Sequence, residues 1–307
     1  MKTYQDLLRE LSVTNERLFV LTAENRALIR DLPETMGERF IDVGIAEQTM
    51  IGMAAGLALR GRIPICHALA PFLIFRAYEF IRNNICIPGL PVKLSGYIPG
   101  FLSDGNGPTH QALEDLSLMR GLPHMEVYCP ADEQDMLSML PDIWESEKPA
   151  YIRVNTRKTQ FEHAVFEKGK AELISLGSDV NIIVAGFLFE QAMQTKALLE
   201  AQGISVGITN IRSLKPLDET ALLQLAAQNS WIITMEDHFQ KGGLYSAVAE
   251  TYLKYQVKAK VMPFALSDQW FRPALLDDVL KFEGFTAEAM FHKIYNKINC
   301  LQYVQFN

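Results

Sequence analysis

Residues 39–61, RFIDVGIAEQTMIGMAAGLALRG, constrain this chain more than any other stretch. Arg39 to Val43 reads as a short buried strand, Gly44 turns the chain, and the apolar run from Ile45 reads as a helix. Gly52 and Gly56 lie four apart on that helix, with Ala54 and Ala58 beside them. Small residues at this spacing let another backbone approach closely. The helical part from Ile45 carries one carboxylate, Glu47, in the first helical turn, where the helix dipole favours negative charge. A first-turn acid commonly does no more than steady its helix. An acid at the mouth of an apolar, glycine-rich helix, however, is poorly placed to meet water.

The remainder reads as strands alternating with helices. A helix is expected near residues 4–11 and a strand at 18–21. After the central stretch come a strand at 63–66, an apolar helix at 72–85 and a short strand at 92–94. The glycine-dense loop SGYIPGFLSDGNG, residues 95–107, leads to His110. A helix near 112–120, a strand near 125–128, a helix over 132–145 and a strand at 150–154 complete this half. Residues 156–170 are more charged and less periodic and read as a linker. The alternation then restarts, with strands at 180–185, 204–209, 231–235 and 260–263. Gly203 ends the helix between the first two, and Asp218 caps the helix after the second. This pattern predicts two doubly wound α/β domains with mainly parallel sheets, over residues 1–159 and 169–307.

Composition narrows the class without choosing a function. Hydrophobic residues at 49% and charged residues at 21% are ordinary for a globular α/β protein. A net charge of −7 argues against a nucleic-acid-binding surface. Residues 1–30 lack the apolar core of a signal peptide and no run is long enough to span a bilayer, so a cytoplasmic protein is expected. Cys66, Cys86, Cys129 and Cys300 show no CxxC spacing, which suggests neither a zinc site nor a disulfide framework.

DVGIAEQ followed by a small-residue helix, together with GPTHQALEDL at residues 107–116, resembles the pyrimidine-binding domain of the transketolase family. That family uses thiamine diphosphate and includes 1-deoxyxylulose-5-phosphate synthase. The order KPLD, strand, acid-x-His, Gly-Gly in the second half resembles the family's C-terminal domain. The resemblance implies that Glu47 binds a ring nitrogen of the cofactor's aminopyrimidine and drives its tautomerisation. It implies that His110, fixed by a Gly-Pro turn, hydrogen-bonds the substrate oxygen and shuttles protons, which suits an imidazole. Phe72, Phe75 and Tyr78, three apart on one helical face, are either core packing or a stacking surface for the flat pyrimidine. Phe72 and Phe75 are favoured for the stack.

His67 follows a strand, where active-site side chains emerge from parallel sheets, although a core histidine is the commoner role. Relatives place an Arg at the end of the last strand of this half to bind a sugar phosphate. Arg153 and Arg157 both stand there, and Arg157 is preferred. Glu236 and His238 are expected to have a structural role at a subunit interface. The family's diphosphate and Mg²⁺ motif, GDG followed by Asn about thirty residues later, has no counterpart: SDGNG at 103–107 belongs to the His110 loop.

The resemblance therefore implies the C-terminal half of a transketolase encoded alone. Expected with it are an N-terminal partner subunit carrying the diphosphate and Mg²⁺ site, a heterotetramer with a homodimer of this chain, and a sugar phosphate substrate. No metal site is expected in this chain. Thr49, Ile98, Pro99, Asn106 and Leu118 depart from the usual sugar-reading residues. Acyloin formation, as in 1-deoxyxylulose-5-phosphate synthase, and a non-catalytic paralogous scaffold are the alternatives. A 2-oxo-acid dehydrogenase beta subunit fits GIAEQ and GPTHQ less well.

Overall fold

A computed structural model describes the backbone of residues 2–304 and the side chains as far as Asn299, so the expected role of Cys300 and both chain ends lie outside it. The first sheet contains β1 (Leu18–Thr22), β2 (Phe40–Asp42), β3 (Ile63–Leu69), β4 (Lys93–Tyr97), β5 (Glu126–Tyr128) and β6 (Ala150–Val154). The second contains β7 (Glu172–Ser175), β8 (Val180–Ala185), β9 (Val206–Asn210), β11 (Trp231–Phe239) and β12 (Val261–Leu266). Between them in sequence lies β10 (Ser213–Lys215), which leaves its own half and adds to the first sheet, antiparallel to β5. The strand orders are β10-β5-β6-β4-β3-β1-β2 and β12-β11-β8-β9-β7. Apart from β10 and the β7–β9 pair, the pairings are parallel, as expected of strands joined by helical crossovers.

Three apolar cores follow from this layering. One joins the Glu47–Leu59 helix to β3 and β4, and continues into the second half through Leu214, Leu222 and Leu244. A second lies on the opposite face of the first sheet, under the Tyr4–Thr14 and Glu133–Glu145 helices. The third fills the C-terminal half and includes Phe101 and Leu113 from the first half. The two halves thus share both a sheet edge and core.

Two local expectations are corrected. β2 is an edge strand whose residues are half-buried, because only β1 flanks it. Residues 72–85 do not form one α-helix. A π-helical turn at Phe72–Arg76 and another at Ile81–Cys86 flank a single α-turn at Tyr78–Phe80. Wider turns break the i, i+3 alignment, so Phe72, Phe75 and Tyr78 no longer share one face. The linker does lack regular structure, but it is pinned. His163 contacts Asp132 at 3.2 Å and Glu172 at 2.9 Å, and Arg212 donates to the Ala164 carbonyl at 2.8 Å.

Candidate cofactor and substrate site

Strands β2, β3 and β4 deliver their following segments to the same, carboxyl, end of the first sheet, where ligands of open α/β sheets bind. After β2 the chain turns at Gly44, whose φ of 69° few side chains tolerate, and enters the helix at Glu47. The Glu47 carboxylate is only 5% exposed. No side-chain cap is formed at this helix start; the carboxylate instead accepts from Arg76 Nη1, at 3.1 and 3.3 Å.

Arg76 comes from the π-turn after β3, and its guanidinium carbon lies 3.9 Å from the centroid of the Phe72 ring. Phe72 meets the His110 imidazole edge to face, with centroids 4.9 Å apart. Nδ1 of His110 lies 2.9 Å from Thr109 Oγ1, and its carbonyl accepts from Ser103 Oγ at 2.6 Å. Glu47, Arg76, Phe72 and His110 therefore form one contiguous row built from three crossovers. The loop before His110 holds Ile98 at a φ of 48°, a conformation that costs a β-branched residue on the order of 1–3 kcal/mol.

The row has the chemistry of a shelf for a flat, donor-bearing ring. The Arg76 guanidinium acts as its stand-in: a planar group stacked on Phe72 that donates N–H to a buried carboxylate. An aminopyrimidine could meet both partners in the same way, so the residues fit thiamine diphosphate at its pyrimidine end. Phe75 is 38% exposed, and Tyr78 turns to the core, its hydroxyl donating to the Leu118 carbonyl at 3.3 Å. Tyr78 is thereby removed from the stack it was expected to join.

Several expected site residues lie elsewhere. His67 is wholly buried between Tyr4 and Tyr97, with neither ring nitrogen hydrogen-bonded, and burial pushes its pKa down to about 4. It faces the side of the sheet opposite Glu47 and cannot contact a substrate at the shelf. Arg153 is equally committed. Its Nε and Nη2 bind Asp115 at 2.8 and 2.5 Å, and its Nη1 binds Asp237 at 2.6 Å. With 4% of its side chain exposed, it has no donor to offer a phosphate. Arg157 is half-buried, pairs with Glu190 at 2.9 Å and lies over Phe187. Of the two arginines it alone keeps access to solvent.

Glu236 and His238 are fully buried within this chain, not at a subunit surface. Glu236 accepts from the amides of Leu244 and Tyr245 at 2.6 and 2.8 Å, at the start of the Leu244–Lys254 helix. Burial outweighs those bonds and raises its pKa to about 8. His238 Nε2 accepts from the Ser117 amide at 3.3 Å. Asp135, His163 and Glu172 bring potential ligand atoms within 4.8 Å of one another, but Arg212 already supplies the cation, 2.9 Å from Asp135 and 2.8 Å from Glu172.

Sequence reasoning missed Arg76. The signal was its isolation, the one cation in the apolar string PFLIFRAY. The outer side of the Glu47–Leu59 helix is also informative. A Cβ added to Gly52 or Gly56 would meet open space, and Ile45 and Leu59 are each 71% exposed. A helix apolar on all sides is normally covered on all sides.

Residues 2–161 match the family model for the transketolase pyrimidine-binding domain, and residues 169–290 match that for the transketolase C-terminal domain. A 6-deoxy-6-sulfo-D-fructose transketolase subunit of Clostridium sp. strain MSTE9 is 37% identical over 81% of this chain and 79% of its own length. A putative transketolase C-terminal section of Methanocaldococcus jannaschii is 33% identical over 97% of this chain and 95% of its own. Among solved structures, a split-gene transketolase described as an inactive beta4 tetramer superposes with a TM-score of 0.87 at 34% identity, covering 96% of this chain and 97% of that one. Two matched domains, full-length relatives and a buried acid beside an aromatic shelf agree, and the chain belongs to the transketolase family.

Proposed function

We propose that this chain is the pyrimidine-binding subunit of a split, thiamine-diphosphate-dependent transketolase that moves a two-carbon ketol unit between sugar phosphates. The observation that carries this is the row Glu47, Arg76, Phe72, His110, with a buried carboxylate at one end and an imidazole at the other. Glu47, Phe72 and the exposed Phe75 would hold the pyrimidine end of the cofactor. When bound, thiamine diphosphate supplies the electron sink for breaking and making the carbon–carbon bond.

This chain's residues do the rest. Glu47, only 5% exposed, would hold a proton at a ring nitrogen of the pyrimidine. His110 gives and takes a proton at the substrate oxygen and orients it. Arg157 is the arginine of its pair that a substrate phosphate can reach, at the cost of its contact with Glu190. The diphosphate and its Mg²⁺ belong to a partner chain, for which the open, apolar side of the Glu47–Leu59 helix is the fitting surface. That arrangement makes the active species a heterotetramer around a dimer of this chain. No helix of the described residues is long and apolar enough to cross a membrane.

The test is reconstitution with a chain carrying the GDG-to-Asn motif, following ketol transfer from a ketose phosphate to an aldose phosphate. Glu47→Ala should lower turnover by at least about 100-fold, in the range of a lost proton-handling group. Unchanged turnover would mark a scaffold, and use of pyruvate as donor would mark an acyloin-forming synthase. Tight, Mg²⁺-dependent cofactor binding by the isolated chain in calorimetry would refute the split site.

A further inference from the structure

The loop that carries His110 is docked on the C-terminal domain. Phe101 sits in that domain's core, with ring centroids 6.0, 5.5 and 5.0 Å from Phe187, Phe271 and Phe285. The Gln111 side chain donates to the Phe271 carbonyl at 3.1 Å, and the Ala274 amide donates to the Asp104 carbonyl at 3.3 Å. Between these anchors stands Asp237, near the end of β11 and 1% exposed. Its Oδ2 accepts from the Phe101 amide at 3.3 Å while its Oδ1 takes Arg153 Nη1 at 2.6 Å.

Arg153 passes the restraint on. Its other donors grip Asp115, which opens the short Asp115–Arg120 helix five residues after His110 and also accepts from the Tyr151 hydroxyl at 2.6 Å. Both ends of the His110 segment are thus tied to one carboxylate of the other domain, directly at Phe101 and through Arg153 at Asp115. Gly100, at a φ of 58°, makes room for it: a Cβ there would collide with the Asp237 carboxylate. The strained Ile98 lies in the same stretch, and strain of that kind persists only where the surroundings over-determine the backbone.

We infer that Asp237 is a positioning residue for His110, so that the C-terminal domain, which adds no residue to the shelf itself, sets where the imidazole stands. The inference rests on the reading of His110 as the group that handles the substrate proton. A displacement of about 1 Å at a reacting group can cost up to about 100-fold in rate. Asp237→Asn keeps an acceptor for Phe101 but loses the charge that holds Arg153.

The experiment is a double-mutant cycle in the reconstituted complex, combined with hydrogen exchange on the free chain. Asp237→Asn should lower kcat about 10-fold. Cofactor affinity should stay within about twofold, because Glu47 and Phe72 are held by other crossovers. In a His110→Ala background the same substitution should change kcat less than about twofold, since residues acting as one unit are not additive. Equal losses in both backgrounds, or none in either, would overturn the inference.

In the free chain, Asp237→Asn should speed exchange of the amides of residues 100–112 at least about tenfold. Unchanged protection would overturn the brace whatever the kinetics show. If His110→Ala itself leaves kcat intact while exchange accelerates, the brace stands and the assigned role of His110 fails. Gly100→Ala, which presses on Asp237 from the loop side, repeats the test should Asp237→Asn fail to fold.

Discussion

Arg153 and Arg76 are both guanidinium groups paired with carboxylates at the same end of the same sheet, yet they do opposite things. Arg153 has 4% of its side chain exposed and two acids around it, one from each domain. Arg76 has 46% of its side chain exposed and a single acid, Glu47, whose own side chain is 6% exposed. A buried, fully hydrogen-bonded charge cannot leave without stranding its partners, so the first cluster is framework. A half-solvated cation can move at little cost, so Glu47 is free to exchange one donor for another. Exposure of the cation, not the identity of the ion pair, separates structure from site.

The largest effect should come from Arg153→Ala. It leaves Asp115 and Asp237 buried beside each other with the intervening cation gone. Burial already lifts the Asp237 pKa to about 6 against the pull of Arg153, while the Asp115 carboxyl, where burial is opposed by Arg153, His238 and the Tyr151 hydroxyl together, is held below its ordinary range. Breaking a buried pair from one side typically costs about 3–5 kcal/mol. Urea denaturation of the full chain should show a loss of that order. A loss below about 1 kcal/mol, the range of a surface pair, would erase the distinction drawn between the two arginines.

His67 is the limiting case, burial with no partner at all. Its pKa is about 4 in the folded chain against 6.5 unfolded. The unfolded chain therefore binds more protons between these values. Stability tied to this residue is complete above pH 6.5 and is lost as the pH falls toward 4. The shift corresponds to roughly 3 kcal/mol across that window. His67→Phe should flatten this part of the stability–pH profile measured by denaturation at several pH values. An unchanged slope would mean that the ring finds a compensating partner when the pH drops.

How much of this was legible in the sequence depended on distance along the chain. The placement of Glu47 and His110 was readable because their settings are local: a glycine turn into an apolar helix, and a Gly-Pro turn ahead of the short Asp115–Arg120 helix. The sheet strands were readable from alternation. Arg153 was misread because its partner Asp237 is 84 residues away, on a strand of the other domain. For His67, parity along the strand decides between the core and substrate-facing roles that the sequence left open. Cys66 and Ala68 face the Glu47 helix, so His67, one residue on, points to the opposite face under Tyr4. β10 was passed over because three residues have no period of their own, and only the edge of β5 makes them a strand. Tyr78 left the expected stack for a third reason: a spacing of three marks one face only if the turns are α, and here they are π.

The smallest effect on stability, and the sharpest probe of the comparison, belongs to Arg76. Arg76→Gln removes one half-exposed ion pair and one cation–π contact, and denaturation should move by no more than about 1 kcal/mol. Binding should respond more clearly. The guanidinium rests on the face of Phe72 and holds Glu47, the two contacts an aminopyrimidine would take. If it must be displaced, its removal should tighten thiamine diphosphate binding in the reconstituted complex by about fivefold, equivalent to roughly 1 kcal/mol. Weaker binding would mean that Arg76 stays in place and touches the ligand. It would then be as fixed as Arg153, and exposure alone would no longer distinguish a framework arginine from one that yields its place.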